Sequence, residues 1–518
     1  MKKAMALFLS ALLCVSLLAA CTDKQDPAQS DPNDNGQASA DDPESEKRTN
    51  LRSAMLTAMT TIDPHYTNMS SDSTVVGLIY ESFYYRDARG EMYPRLATDY
   101  EVSEDGLVYT YHLKEGVQWQ TGGEFKASDV VFSINRAKES PYMVRSTQLI
   151  DTVEAIDDYT VEITLTQLSP TFYMDVNGIA MLSEQAMQGK DSGFTSDMPG
   201  GTGPYTLVEW SGDEKAVFKV NENYHGDLPQ ITEIEYIVFG DEASALLAFE
   251  AGELDYVSVP STDWERISAS DEYGTMLVDN NMTIYLCFNC QREPFNDVRV
   301  RQAFSYAINK EDVLYAAADD LGVLTNTIGT PTYNFAMPDS SEVFGYEYNP
   351  EKARDLLAQA GYPDGLTLEE GIWTIGAAQL SVPVEVIQAQ LAEVGVTAEI
   401  QMIDTAVYMD DLAQGNHQLA IMTWSSSSDT SYYASLYTSA GLGSNNLSLY
   451  QNDRVDELFA LASQTLDQDL RKEYFKEAYN IAAEEAAYIP LYLPSACAAF
   501  DKDLTIDPYK SVTFWYWN

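Results

Sequence analysis

An α/β fold of at least two lobes is predicted by three features of the sequence. At 518 residues the chain exceeds the ~250–300 residues at which a single hydrophobic core stops growing. From Leu51 onward, strand-like and helix-like segments alternate across short loops without a repeat period or a low-complexity block. Between Leu366 and Trp424 the order strand, helix, strand, helix, strand marks a βαβ-type lobe.

The elements follow from local pattern. Tyr100-Glu101-Val102 and the alternating Leu107, Tyr109, Tyr111 and Leu113 flank Asp105-Gly106, a hairpin turn pair. Gly203-Pro204 makes a turn into a strand from Tyr205 to Trp210. Asp297 caps a helix whose apolar stripe is Val300, Ala303, Phe304, Ala307 and Ile308. Asn349 caps another, with Pro350 in its first turn, a stripe of Ala353, Leu356, Leu357 and Ala360, and Gly361 at its end. Within the βαβ-type lobe, Val384, Ile387, Leu391 and Val394 form a helical stripe, and Val396, Ala398, Ile400 and Met402 alternate as in a strand. A helix over 407–412 and an apolar strand over 419–424 follow. Helices over 455–462 and 470–482 precede a short strand at Ile489-Pro490-Leu491-Tyr492, where Pro490 predicts an edge or a strand start.

Composition narrows function. Lys and Arg number 30 against 80 Asp and Glu, a net charge of −50, which repels phosphate backbones and excludes a nucleic-acid partner. This acidity reads as a repulsive, soluble surface, and a monomer is expected. Hydrophobic residues make up 45% of the chain, so most of it is globular. Five cysteines supply no disulfide framework.

The N-terminal segment reads as an export signal over 1–20: Lys2 and Lys3 precede an uncharged run, Ala4 to Ala20, too short to span a bilayer. Leu18-Ala19-Ala20-Cys21 is similar to a bacterial lipobox, which implies diacylation of Cys21 and anchoring by two chains. Residues 22–48 lack any large apolar side chain and read as an acidic, unfolded tether. The mature protein is expected on the outer face of the cell membrane, or in the periplasm of a host with an outer membrane.

No catalytic constellation emerges. His65, His112, His225 and His417 stand far apart, with no metal-ligand spacing, and each reads as structural. Gly200-Gly201-Thr202-Gly203 lacks the spacing and the lysine of a phosphate loop. Cys287 and Cys290 satisfy C-x-x-C, but three residues apart on a strand they face opposite ways, so two structural thiols are expected; Cys497 reads as core. No metal site and no cofactor are expected.

A series of segments then points to a family. Thr61-Ile62-Asp63-Pro64-His65, Ile79-Tyr80-Glu81-Ser82-Phe83, Pro94-Arg95-Leu96-Ala97, residues 111–117 and Ala127-Ser128-Asp129-Val130 come first. Gly201-Thr202-Gly203-Pro204-Tyr205, residues 221–226, Ala251-Gly252-Glu253-Leu254-Asp255, residues 294–303, Ala360-Gly361-Tyr362-Pro363 and Ile489-Pro490-Leu491-Tyr492 follow. In this order, over about 51–500, the chain resembles the dipeptide/oligopeptide/nickel family (family 5) of ABC-transporter extracellular solute-binding proteins. The resemblance implies a bilobal, periplasmic-binding-protein-like fold (type II, cluster C) with a subdomain inserted in the first lobe. Lobe I is then expected over 49–85, 174–282 and 488–518, the insert over 86–173 and lobe II over 283–487, with hinge crossings near 280–285 and 485–490. A ligand held between closing lobes and delivered to a membrane permease is the implied function, with no enzymatic activity.

The site expectations come from the same resemblance. In peptide-binding relatives the strand ending in Trp is followed three positions later by an Asp that pairs with the peptide's ammonium; Trp424 matches, but Ser427 stands at that position. Asp429 supplies the charge if the loop, which includes Ser428, is one residue shorter and reshaped. Tyr66, Asn68 and Met69, and Tyr333, Asn334 and Phe335, are the further ligand-binding candidates, aromatic and amide groups suited to backbone-directed recognition. Small peptides are the expected ligand, with an oligosaccharide, a nickel chelate or an N-blocked peptide as alternatives and a secreted hydrolase or a surface adhesion protein as the rival classes.

Overall fold

The computed structural model describes residues 48–87, 91–194, 200–279, 282–330, 336–425, 429–504 and 506. Cys21 and the tether up to residue 47, Tyr333, Asn334, Phe335, Ser427 and Ser428 lie outside the described residues.

One strand organises the rest. Tyr488–Asp501 is 14 residues long, far longer than the short segment predicted at 489–492. Its first half pairs antiparallel with Met282–Phe288 and Gly322–Leu324; its second half pairs with Tyr256–Ser258 and Tyr273–Asp279. Pairing changes hands between Pro494, opposite Gly322, and Ser495, opposite Asp279. The family resemblance implies a crossing near 485–490, and the strand pairs with Met282–Phe288 and Gly322–Leu324 as far as Pro494. Pro490 lies opposite Tyr285, next to the register irregularity between Ile284 and Tyr285, where the absence of an N–H is tolerated. Of the two expectations for Pro490 the strand start fits, since the strand begins at Tyr488; the strand itself is internal and joins both halves in a 12-stranded mixed sheet.

In lobe I, Asn50–Met55 runs parallel to Glu233–Val238 and Tyr256–Ser258, and the sheet continues antiparallel through Lys215–Val220 and Tyr205–Trp210. One face buries Leu51, Leu78, Ile79, Phe218 and Ile234, the other Leu246, Phe249, Val257 and Ala499. The glycines at 201–203 are there for close approach. Gly203 donates its N–H to the Ile79 carbonyl at 2.9 Å, and a Cβ on Gly201 would lie 1.9 Å from that oxygen.

In lobe II, Leu366–Thr374 lies parallel to Val396–Met402 and Leu419–Ser425, and the latter pairs antiparallel with Met282–Phe288. The helix Ala378–Glu393 returns the chain between the parallel strands and buries the expected Val384, Ile387 and Leu391 fully. Asn349 caps Pro350–Gln359 through the Lys352 N–H at 3.0 Å, and Gly361 ends it at φ 104°, in the left-handed region that glycine enters without strain. Asp297 likewise caps Val298–Ala307. The two late helices span Asp453–Ser463 and Gln468–Glu484.

The insert has its own sheet, four antiparallel strands in the order Ala97–Val102, Val108–Leu113, Thr160–Leu165, Ile150–Asp157. The helix Ala127–Lys138 covers it, and its core draws on residues from Phe83 to Met181, somewhat wider than 86–173. Cys287, Cys290 and Cys497 are free thiols; burial raises the first well above its ordinary pKa and pushes Cys290 up to about 11. Among the described residues no helix is long and apolar enough to cross a membrane.

Candidate functional site

The insert and lobe II face each other across a cavity of about 1010 Å³. One wall comes from the short helices Val144–Thr147 and Phe172–Asp175 and the turn at 167–171; the other from the 3-10 turn Thr430–Tyr433, the helix start at Ala434 and the loop at 444–445. These are places where chain ends and turns leave polar groups exposed, as the carboxyl ends of open sheets do. The strand Leu419–Ser425 places Trp424 opposite Thr283, and the Trp424 ring lies 5.6 Å from Tyr432 of this wall.

Aromatic and charged groups span the gap. The Arg145 guanidinium carbon lies 4.9 Å from the ring centre of Tyr432, a cation–π contact between insert and lobe II. Arg145 Nε also donates to Asp175 at 3.2 Å. Burial raises the Asp175 carboxyl above its ordinary value, against the pull of Arg145, and the negative charge of Asp429 adds to the rise. Asp429 also acts on Arg86 and Tyr173 of the insert; burial lowers the first and pushes Tyr173 up to about 12. Lobe II charge is thus felt directly by the insert.

A second cavity of about 310 Å³ is lined by Pro64, Thr67, Tyr80, Glu81, Met143 and Asn177, among others. Met143 lines this cavity and Val144 the first. Tyr80 is only 3% exposed, and its hydroxyl has no hydrogen-bond partner.

The residues singled out from sequence fall into place unevenly. Trp424 is half-buried, its ring 5.6 Å from that of Tyr432, and its indole N–H is buried without a partner. Tyr66 is half-buried under the Arg136 guanidinium at 5.0 Å, and Arg136 forks onto Asp63. Asn68 and Met69 are exposed at the start of the helix Ser70–Ile79. Asp429 differs most from expectation: offered as a carboxylate for a ligand's ammonium, it is 1% exposed and held by the buried Arg471 at 3.0 and 2.7 Å. A carboxylate paired this way is already neutralised. Its other bonds go to Ser431, whose N–H and hydroxyl it accepts.

Thr430 and Met337 touch at 3.7 Å, and the Gly329 N–H donates to Thr283 Oγ1 at 2.9 Å, so the chain on both sides of 331–335 lies beside the Trp424 wall. Arg145, Asp175, Tyr80 and Tyr432 were not anticipated, and nothing periodic in their short segments marks them. Two of the four histidines hold local contacts: His65 Nε2 donates to the Ala180 carbonyl at 2.8 Å, and His225 bonds Glu81 at 2.7 Å. Among the described residues no cluster of His, Cys, Asp or Glu is placed to hold a metal ion.

Comparison with known proteins agrees with this architecture. Residues 91–445 match the bacterial extracellular solute-binding proteins, family 5 Middle. A dipeptide-binding protein of Escherichia coli (strain K12) is 30% identical over 434 residues, covering 76% of this chain and 80% of that protein. Heme-binding protein A of Haemophilus influenzae is 28% identical over 436 residues, covering 77% and 78%. The solved structure of HbpA2 from Haemophilus parasuis superposes with a TM-score of 0.81 at 25% identity, covering 90% of this chain and 99% of that one. With a family match over most of its length and a bilobal architecture shared with solved relatives, the chain belongs to the family 5 bacterial extracellular solute-binding proteins, receptors that serve ABC transporters and are not enzymes.

Proposed function

We propose that this protein captures small peptides between its two lobes and hands them to an ABC permease, held at the outer face of the membrane by a lipid on Cys21. The observation that carries the peptide reading is the pairing of cavity walls: Tyr432, with the Trp424 ring packed behind it, on one side, and Arg145 reaching over from the other. Rings and scattered polar groups grip a peptide's backbone and tolerate varied side chains. The similarity to a dipeptide-binding protein over three quarters of the chain supports the same ligand class.

Capture works through closure, with the lobes rotating about the crossing where Tyr488–Asp501 passes from one half of the sheet to the other. Peptide contacts made to both walls are stronger in the closed state, which is what lets a ligand shift the equilibrium.

A thermal-shift screen tests the ligand. Di- to pentapeptides are expected to raise the melting temperature, since a ligand at 100 times its Kd stabilises the folded state by about 2.7 kcal/mol. A response to oligosaccharides or nickel chelates and none to peptides would overturn the peptide assignment. For the anchor, Cys21→Ala is expected to release the protein from membranes; retention would count against lipidation.

A further inference from the structure

The cavity between insert and lobe II carries one acid and one base, and they hold each other. Among its described lining residues only Arg145 and Asp175 are charged. Arg145 Nε donates to Asp175 at 3.2 Å, and Asp175 also accepts from Thr171 Oγ1 at 2.9 Å. Arg145 is further committed to the Tyr432 ring. Just behind the lobe II wall, Asp429 is forked by Arg471. In a chain with 30 basic and 80 acidic residues, the charges of this lining cancel.

The rest of the lining is uncharged and rich in amides and hydroxyls. Gln148 and Gln167 stand on the insert wall, and Ser444, Asn445 and Gln464 on the lobe II wall. The three glutamines are exposed, and their carboxamides have no hydrogen-bond partner among the described residues. A carboxamide donates and accepts at once. It therefore matches the N–H and C=O of a peptide backbone, or an uncharged polar side chain, in either orientation.

A charged side chain on the ligand fares differently. While the gap is open, water solvates it; closure displaces that water, and an ion left without a counter-ion is strongly disfavoured. The two charges of the lining could serve it only by giving up each other, which breaks an existing pair. The net charge of the chain attracts cationic peptides at long range, but at physiological ionic strength that pull is screened over about 8 Å. It speeds arrival more than it improves fit.

Resting on the peptide reading, we infer that this cavity selects peptides whose side chains are uncharged, with Gln148, Gln167 and Gln464 as the groups that grip them from both walls. Lysine-bearing and glutamate-bearing peptides are both poor ligands. A cavity with an unpaired charge of either sign would instead favour one of these and reject the other.

The test uses three tripeptide pools with free termini that differ only at the central residue: Ser, Thr, Asn and Gln in the first, Lys in the second, Glu in the third. Each is titrated against the full chain by calorimetry at about 0.15 M salt, where long-range steering is screened. The uncharged pool is expected to bind at least about tenfold more tightly than either charged pool, a difference of about 1.4 kcal/mol. Less than tenfold against either charged pool, with the uncharged pool bound, would overturn this inference and leave the peptide reading standing. Binding of no pool would overturn the peptide reading, and this inference with it. Gln148→Glu and Gln464→Glu place a carboxylate on one wall each, and should raise the ratio of lysine-pool to glutamate-pool affinity at least about threefold, the lower worth of a hydrogen bond to a charged group being larger than this. An unchanged ratio in both variants would overturn the assignment of the glutamines. Both positions are exposed, and the melting temperature of each variant separates altered recognition from lost folding.

Discussion

Arg471 grips Asp429 through two hydrogen bonds with both residues out of solvent, at 0% and 1% exposure. Arg471 Nε further donates to the Ala462 carbonyl at 3.1 Å, so the pair locks the helix Gln468–Glu484 to the turn that carries Tyr432. Removing one partner leaves an uncompensated buried charge, at a cost of about 3–5 kcal/mol. Arg471→Met should lower stability by that amount in chemical denaturation, and adding Asp429→Asn should restore part of it. Loss below 1 kcal/mol would show that the pair is not what fixes this wall.

The contact of Arg145 with Tyr432 is more exposed and weaker. Arg145→Ala and Tyr432→Ala should each reduce peptide affinity by about two- to fivefold, corresponding to about 0.5–1 kcal/mol for an exposed cation–π contact. Because the two residues share one contact, the double variant should lose little more than either alone. Additive losses in calorimetric titrations would mean that the residues act separately.

Two buried histidines set a pH dependence of stability. Burial pushes both His65 and His417 down to about 4, from an ordinary 6.5. Their folded values lie below the unfolded one, so the stability they carry is present above pH 6.5, falls as pH drops from 6.5 toward 4, and changes no further below that. Each contributes up to about 3 kcal/mol to this fall. Urea denaturation at pH 7 and pH 5 should show it, and His417→Gln should flatten the slope; an unchanged slope would mean that His417 binds equally many protons in the folded and unfolded states over this range.

Two glycines separate two reasons for having one. Gly201→Ala puts a methyl 1.9 Å from the Ile79 carbonyl oxygen, against backbone that cannot yield, and should prevent folding or cost several kcal/mol. Gly116→Ala faces open space at φ +78° and should cost only about 1–2 kcal/mol, the strain of the left-handed region. Equal melting temperatures for the two would contradict the close packing of 201–203 on the helix Ser70–Ile79.

Local elements were legible because each is fixed by a few neighbours. The Asn349 cap, the Ala353 and Leu357 stripe and Gly361 define one helix without reference to the rest of the fold. The hairpin at Asp105-Gly106, with Gly106 at φ 72°, and the run from Leu366 to Ser425 were legible for the same reason. The long strand Tyr488–Asp501 was not, because its length is set by four partner strands distant in sequence, while Pro490 locally signals an end. The site was least legible. Asp429 meets Arg471 across 42 positions, and Arg145, Asp175 and Tyr432 sit on turns and single-turn helices that carry no periodic signal. Which carboxylates near the cavity are already paired depends on contacts between segments distant in sequence, such as Asp175 with Arg145 and Asp429 with Arg471.

Hydrogen–deuterium exchange on the purified chain, with and without a saturating peptide pool, tests ligand capture between two walls most directly. Slowed exchange is expected together in Met143–Gln148 of the insert and in Ser431–Ser435 of lobe II, the segments that carry Arg145 and Tyr432. Protection confined to one of them, or absent from both while calorimetry reports binding, would contradict a ligand held between the lobes.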